Sequence, residues 1–384
     1  MYFPFVKVNR YYLGFGSNEQ RRLTHIQNAI FELNENQIIV RACSTIYENE
    51  AQGFSGYPFY NACIAVDTEL SAQQLLDRCL RIEKMHGRER QNTAKAYRNR
   101  PLDIDLLLGP EEINYPYLTL PHPRITQRRF VLEPLREVAT ALADTTHLIR
   151  IEKWLSQCTD YAPITPLEYT LLNSISALWK NSGTIVIEGC IGVGKTSLCK
   201  LLSARYSIDT HLESFESNPY LSQFYADRKA YALPTELHFL ADRYQALKEL
   251  DKKKGVVADY HISKSALFAK LNLNTQDFKL FHRFYDWSKQ LTQASALYVL
   301  LDAPVEQLEK RIKQRGRSYE SQIDSAYLER IRSAYLQGHA SEEAQLVIDT
   351  SALDFVHQSA DFDTICEQIS RALLAQRIKN HQLE

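Results

Sequence analysis

Basic charge is not in excess in this chain: Lys and Arg number 45 against 46 Asp and Glu, for a formal net charge of −1. A balance of this kind builds no broad positive field, so no grip on DNA or RNA is expected. Long apolar runs are also lacking. None is long enough to span a bilayer, and no N-terminal stretch resembles a secretion signal, so the expectation is a cytoplasmic protein with no membrane partner. The seven cysteines form no C-x-x-C pair. Cys43, Cys63 and Cys199 sit among apolar neighbours, where a free thiol behaves as a small hydrophobe. Internal repeats and low-complexity tracts are absent too. What is present, 45% apolar and 24% charged residues over 384 positions, describes a globular chain too long for one typical core.

The pattern along the chain divides accordingly. Strands are expected at 8–15, 38–47 and 61–67. Helices are expected at 24–34 and from a Ser71 cap to His86, the latter with Leu75, Leu76, Cys79, Leu80 and Ile82 at helical spacing. A polar, basic loop at 87–99 leads into a further strand. This β-α-β-β-α-β order suits a ferredoxin-like α/β sandwich. Between 147 and 180 the pattern weakens, Pro163 and Pro166 interrupt it, and a linking helix is expected at 167–179. Beyond it, strands at 184–188, 256–259, Leu297–Asp302 and Leu346–Asp349 alternate with long helical stretches. Such alternation gives a parallel sheet with helices on both faces. The domains are therefore drawn as 1–160 and 182–384, with 161–181 between them.

The stretch Arg100-Pro101-Leu102-Asp103-Ile104-Asp105-Leu106-Leu107-Leu108 carries the most chemistry in the first half. Side chains alternate on a strand, so Asp103 and Asp105 share one face, while Ile104, Leu106 and Leu108 fill the other. Adjacent carboxylates repel unless a cation lies between them, and Mg²⁺ with its preference for hard oxygen ligands and phosphate is the ordinary answer. Arg88, Arg90, Arg100, His122 and Arg128 surround the pair with positive or potentially positive groups. Gly16-Ser17-Asn18 reads as a tight turn with exposed amides, and Asn61 offers both a donor and an acceptor.

These residues resemble the 6-hydroxymethyl-7,8-dihydropterin pyrophosphokinase family over about 11–139. The resemblance implies transfer of a pyrophosphoryl group from ATP to a pterin alcohol, with Asp103 and Asp105 holding two Mg²⁺ ions. It implies Phe59 and Phe130 on either side of the pterin ring and Asn61 on its edge. It further implies Glu83 in nucleotide binding, and Arg88, Arg100, His122 and Arg128 on phosphates. Arg90 and the aromatic Tyr97 fall in a loop that closes over the site.

In the second half, Gly189-Cys190-Ile191-Gly192-Val193-Gly194-Lys195-Thr196 fits G-x-x-x-x-G-K-[ST] between a strand and a helix. There Gly189, Gly192 and Gly194 let backbone amides ring phosphates, Lys195 reaches the β- and γ-phosphates, and Thr196 meets Mg²⁺. Arg311, Arg315 and Arg317 suggest a basic lid. The constellation resembles the deoxyribonucleoside kinase family over about 184–355. The resemblance implies Glu213 as general base for a sugar 5′-hydroxyl, Tyr225 and Glu320 on the 3′-hydroxyl, Arg243 and Asp259 beside the transferred phosphate, and a homodimer through kinase helices.

Four positions depart from the family pattern. Tyr260 and His261 follow Asp259 where Asp/Glu-Arg-Ser is common, Glu236 stands for glutamine, and Ser265 for aspartate. An ionised Glu only accepts, which suits the adjacent N1–H and N2–H donors of guanine and points to deoxyguanosine. Two other readings remain for this half. A monophosphate kinase would need a cation near the acceptor, and 211–219 contains no Arg or Lys. A nucleotide-binding dimerisation scaffold without chemistry would explain the departures but not the retained Lys195, Thr196 and Glu213.

Overall fold

A computed structural model describes residues 8–34, 37–88, 98–250, 253–289, 296–317, 320, 323–337 and 346–383. The chain separates into two compact units, Met1–Ala177 with Arg377–Glu384, and Leu178–Gln376. No helix among the described residues is long and apolar enough to cross a membrane.

The first unit runs β1 (Asn9–Ser17), α1 (Arg22–Leu33), β2 (Ile38–Cys43), β3 (Thr45–Asn49), β4 (Phe59–Thr68), α2 (Ala72–Met85), β5 (Asp103–Leu108), the small hairpin β6 (Ile113–Tyr115) and β7 (Leu118–Leu120), α3 (Arg129–Ala141), α4 (Thr145–Gln157) and β8 (Thr165–Thr170). Its main sheet is antiparallel in the order β5-β1-β4-β3-β8, with β2 also on β4. Helix α2 starts where the sequence signals it: Ser71 and Gln74 form a reciprocal capping box, and Leu75, Cys79 and Ile82 are buried.

Three local expectations change, and one layer is added. The strand expected at 38–47 is two, broken at Ser44, whose backbone N–H donates to the Cys63 carbonyl while its hydroxyl accepts from the Cys63 N–H. Gly16 and Ser17 belong to β1 rather than to a turn, and the Asn18 N–H is already spent on the Arg100 carbonyl at 3.1 Å. Residues 161–181 are not all linker. Thr165–Thr170 is a strand, and the helix begins only at Ile175. Pro166 is tolerated because β8 is the outermost strand, where a missing N–H leaves no ladder bond unmade. Finally, α3 and α4 add a third layer on the sheet face opposite α1 and α2. Leu132, Leu135, Val138 and Ile151 pack there on Tyr12, Ala65 and Leu107. Because α3 begins only at Arg129, one end of that face stays open.

The second unit runs α5 (Ile175–Asn181, which begins at the boundary), β9 (Thr184–Gly189), α6 (Lys195–Tyr206), β10 (Asp209–His211), α7 (Leu221–Ala226), α8 (Arg228–Leu250), β11 (Val256–Ala258), α9 (Ser263–Asn272), α10 (Thr275–Lys289), β12 (Leu297–Asp302), α11 (Val305–Arg315), α12 (Ser325–Leu336), β13 (Leu346–Asp349) and α13 (Ser359–Asn380), whose last turn belongs to the first unit. Its sheet is parallel throughout, in the order β10-β11-β9-β12-β13. The chain leaves β9 toward one side and later returns to the other. Ligands in such sheets bind beyond the strand ends at this reversal, which is where the Gly-rich loop lies.

Candidate active sites

In the first unit the sheet register assembles the cleft. Gly16 on β1 pairs with Asn61 on β4 and with Asp103 on β5; Gly14 pairs with Cys63 and with Asp105. The first row therefore sets Asn61 and Asp103 on either side of a glycine, and the second sets Asp105 beside another. A Cβ on Gly16 would stand 3.5 Å from the Asn61 carboxamide oxygen and 3.9 Å from the Asp103 Cβ. Its absence leaves a floor between the two. Over this floor opens a cavity of about 460 Å³, lined among others by Phe54, Phe59, Asn61, Arg128 and Phe130.

The charges are arranged unevenly. Asp103 accepts from Arg88, and from Arg100 at 2.5 Å. Arg88 also donates to Glu83, a buried carboxylate on α2 that accepts the Ile104 N–H at 2.8 Å. Glu83 thus stands behind Arg88 and aims it, and it is not among the residues lining the cleft. Among the described residues Asp105 has only Arg128 as an ion-pair partner, at 3.9 Å. Burial and the Asp103 charge push its carboxyl up to about 6. A raised carboxylate costs nothing below the unfolded pKa and its full amount above the folded one. Asp105→Asn is therefore expected to stabilise the ligand-free chain above pH 6 by about 1 kcal/mol, a discounted figure because the side chain is 38% exposed. Urea melts at pH 7.5 and pH 4 check it, since the gain should vanish at the lower pH.

The remaining residues are distributed as follows. Phe59 and Phe130 both reach the cleft, with Arg100 5.3 Å and Arg128 5.8 Å from their respective ring centroids. His122 is not among the lining residues; burial, Arg128 and Arg124 depress its imidazole to about 4, so it is neutral at pH 7. Arg90 and Tyr97 lie outside the described residues. Asn49 was not anticipated: it accepts from the Asn61 amide and turns that side chain's oxygen toward the floor. The glycine alternation at 14 and 16 was the overlooked signal, since bare positions on a central strand mark close approach.

In the second unit, Gly194 opens α6 at φ 106°, and a Cβ there would lie 2.8 Å from the Phe355 ring. Lys195 donates to the Gly189 carbonyl at 2.7 Å and to Cys190 at 3.1 Å. Burial and nearby Lys264 depress its ammonium pKa, a deficit that bound phosphate would repair. The Thr196 hydroxyl donates to Asp259, whose other oxygen accepts the Glu213 N–H at 2.7 Å. Glu213 lies two residues past the end of β10. Burial opposes its charge, but Arg243, bonded to Oε1 at 2.8 and 2.6 Å, and Lys264 outweigh that and hold the carboxyl at about 2.

Glu236, 3% exposed, accepts from Asn272 at 2.8 Å through Oε1, and its Oε2 has no hydrogen-bond partner among the described residues. Burial raises its carboxyl to about 7. Tyr327 donates to Asn272 at 3.1 Å and fixes which way that amide points. Glu236, Asn272, Tyr327, Tyr225 and Glu320 all line one cavity with Glu213 and Lys195. Glu320 binds Arg315 at 2.5 Å and Arg317 at 3.4 Å, which brings both lid arginines to the cavity edge. Arg311 does not join them. It donates to the backbone carbonyls of Val193, at 3.3 Å, and Thr350, at 3.1 Å, so its donors brace the Gly-rich loop. Lys264, Asn272 and Tyr327 carry no motif of their own, and only the fold brings them in.

Comparison with known proteins divides the chain in the same way. The 7,8-dihydro-6-hydroxymethylpterin-pyrophosphokinase family matches residues 12–140, and the deoxynucleoside kinase family matches residues 185–374. The chain is 38% identical over 131 residues to a 2-amino-4-hydroxy-6-hydroxymethyldihydropteridine pyrophosphokinase of Porphyromonas gingivalis, spanning 33% of this chain and 89% of the relative. It is 32% identical over 201 residues to a deoxyguanosine kinase of Bacillus subtilis, spanning 50% of this chain and 97% of the relative. A deoxyadenosine/deoxycytidine kinase of the same organism is 28% identical over 206 residues, 50% of this chain and 94% of the relative.

Proposed function

From a chain that belongs to the 7,8-dihydro-6-hydroxymethylpterin-pyrophosphokinase family in its first part and to the deoxynucleoside kinase family in its second, we propose a bifunctional ATP-dependent transferase. The first unit moves a pyrophosphoryl group from ATP to 6-hydroxymethyl-7,8-dihydropterin. The second phosphorylates the 5′-hydroxyl of a purine deoxynucleoside, with deoxyguanosine preferred.

For the first reaction the row Asn61–Gly16–Asp103 carries the reading. It puts an amide that can read a heterocycle edge beside a carboxylate that can hold metal, with no side chain between them. Asp103 and Asp105 fit Mg²⁺: both donors are hard oxygens, and Asp105 is raised by burial and by a neighbouring negative charge that a cation would offset. Bound there, Mg²⁺ would neutralise phosphate charge during transfer. Phe59 and Phe130 would hold the pterin ring, and Asn61, turned by Asn49, would accept from its edge. Arg88, aimed by Glu83, and Arg100 would meet the phosphate oxygens, with Arg128 on the Asp105 side. No covalent intermediate is required, so orientation and charge do the work.

For the second reaction Glu213 takes the 5′-hydroxyl proton while Lys195 and the loop amides hold the phosphates, and the Thr196 hydroxyl is the group that would meet Mg²⁺. Tyr225 and Glu320 would hold the 3′-hydroxyl. The unpartnered Glu236 Oε2 supports guanine, because two adjacent N–H donors satisfy a carboxylate that Asn272 has left half open. Glu236→Gln is expected to lower kcat/KM for deoxyguanosine about 10- to 100-fold, a loss typical of one mismatched buried polar contact, and to spare deoxyadenosine. A panel of four deoxynucleosides with ATP measures it, and a wild-type preference for a pyrimidine would end the guanine reading. The unit's homodimer is proposed on the exposed stripe Leu280, Phe284 and Trp287 along α10, at helical spacing. Sedimentation of the wild-type chain distinguishes dimer from monomer.

A further inference from the structure

Lys264 projects from α9 and reaches the second oxygen of Glu213, with Nζ 2.5 Å from Oε2. Arg243 already engages the first oxygen through two of its nitrogens. The Glu213 charge is already met by a guanidinium on its first oxygen, and taking a further ammonium out of water costs several kcal/mol. Lys264 is nonetheless only 9% exposed. Position 260, the obvious source of a further cation, holds a tyrosine whose hydroxyl is turned to His211 Nδ1 at 2.8 Å. Lys264 lines the same cavity as Lys195, Thr196 and Glu213, and its charge is felt at Lys195. Its ammonium is therefore bonded to the base and faces the cavity that the Gly-rich loop lines.

We infer, resting on the kinase reading above, that Lys264 is a catalytic residue whose ammonium meets the γ-phosphoryl group as it leaves ATP for the nucleoside. In that step a bond forms between the 5′-oxygen and the γ-phosphorus. The bond from that phosphorus to the bridging oxygen breaks, ADP leaves with its electron pair, and the hydroxyl proton passes to Glu213. Lys264 has two anionic partners in turn: Glu213 while no phosphate is present, and the phosphoryl oxygens once ATP is bound. Its departure uncovers Oε2 at the moment a proton acceptor is needed. The family's arginine at position 260 is thus replaced in charge, from a different helix.

The test uses the full chain with Lys264→Met, which keeps the side-chain length without the charge. We expect kcat for deoxyguanosine to fall about 100- to 1,000-fold, the usual loss of one transition-state donor, with KM for the nucleoside within about three-fold of wild type. Binding of MgADP with tetrafluoroaluminate and deoxyguanosine, a mimic of the transferring phosphoryl, should weaken by a similar factor while MgADP alone binds as before. Unchanged kcat, or tetrafluoroaluminate binding weakened no more than MgADP binding, would overturn the assignment. Lys264→Gln serves in the same assays if the methionine chain does not fold. A wild-type chain inactive on every deoxynucleoside would instead sink the kinase reading itself.

Discussion

Asp103→Ala is expected to reduce pterin pyrophosphorylation at least about 1,000-fold, since it removes a metal donor and the anchor of two arginines at once. Arg88 would keep Glu83, but Arg100 would lose its carboxylate partner. The pair of positive groups that should face phosphate would then be set by solvent. The fold is expected to survive. Asp103 is on an open cleft, its strand neighbours Ile104 and Leu106 stay buried, and Asp105 loses the repulsion that raises its pKa. The measurement is made on the full chain, with nucleoside phosphorylation as the internal control. An unchanged pterin rate would remove the metal assignment. Parallel loss of both activities would mean that the chain had unfolded, and the substitution Asp103→Asn, which keeps the shape and one of the two acceptor oxygens, would then decide.

The sequence disclosed the parts of both sites that depend on local rules. Period two on one strand set Asp103 and Asp105 on one face, and a β-branched strand, glycines, Lys195 and a helix read as a phosphate cradle without further help. What it hid was long-range pairing. Nothing near Asn49 marks it as the partner of Asn61, because the contact depends on β3 lying beside β4. Lys264 carries no local signal, and its meaning comes from Glu213, about fifty residues earlier, being folded against it. Glu83 hides its contacts for the same reason. The resemblance implies it in nucleotide binding, and what the fold adds is that it is buried and holds Arg88 and the Ile104 N–H together. The misread segment at 165–170 shows a different limit. Proline at the edge of a sheet costs nothing, but which strand is outermost cannot be known before the sheet is assembled.

Glu213→Gln is expected to lower nucleoside phosphorylation about 1,000-fold while leaving the pterin reaction untouched. General-base loss accounts for a factor of 100 to 10,000 in this kind of transfer. Glutamine keeps the size and one acceptor oxygen, so the backbone bond from the 213 N–H to Asp259 survives. What disappears is the negative charge between Arg243 and Lys264, and with it the proton acceptor. The variant also reports on stability. The folded carboxyl is held at about 2, below its ordinary 4.5, so its ionic contacts stabilise the unit above pH 4.5 and fade as pH falls toward 2. Leaving Arg243 and Lys264 buried without it should cost about 3 kcal/mol near pH 7, the usual penalty for breaking a buried pair. The thermal midpoint of the variant should therefore lie below wild type at pH 7, and the two should converge in acid. A variant that kept the nucleoside kinase rate would show that proton removal is done elsewhere.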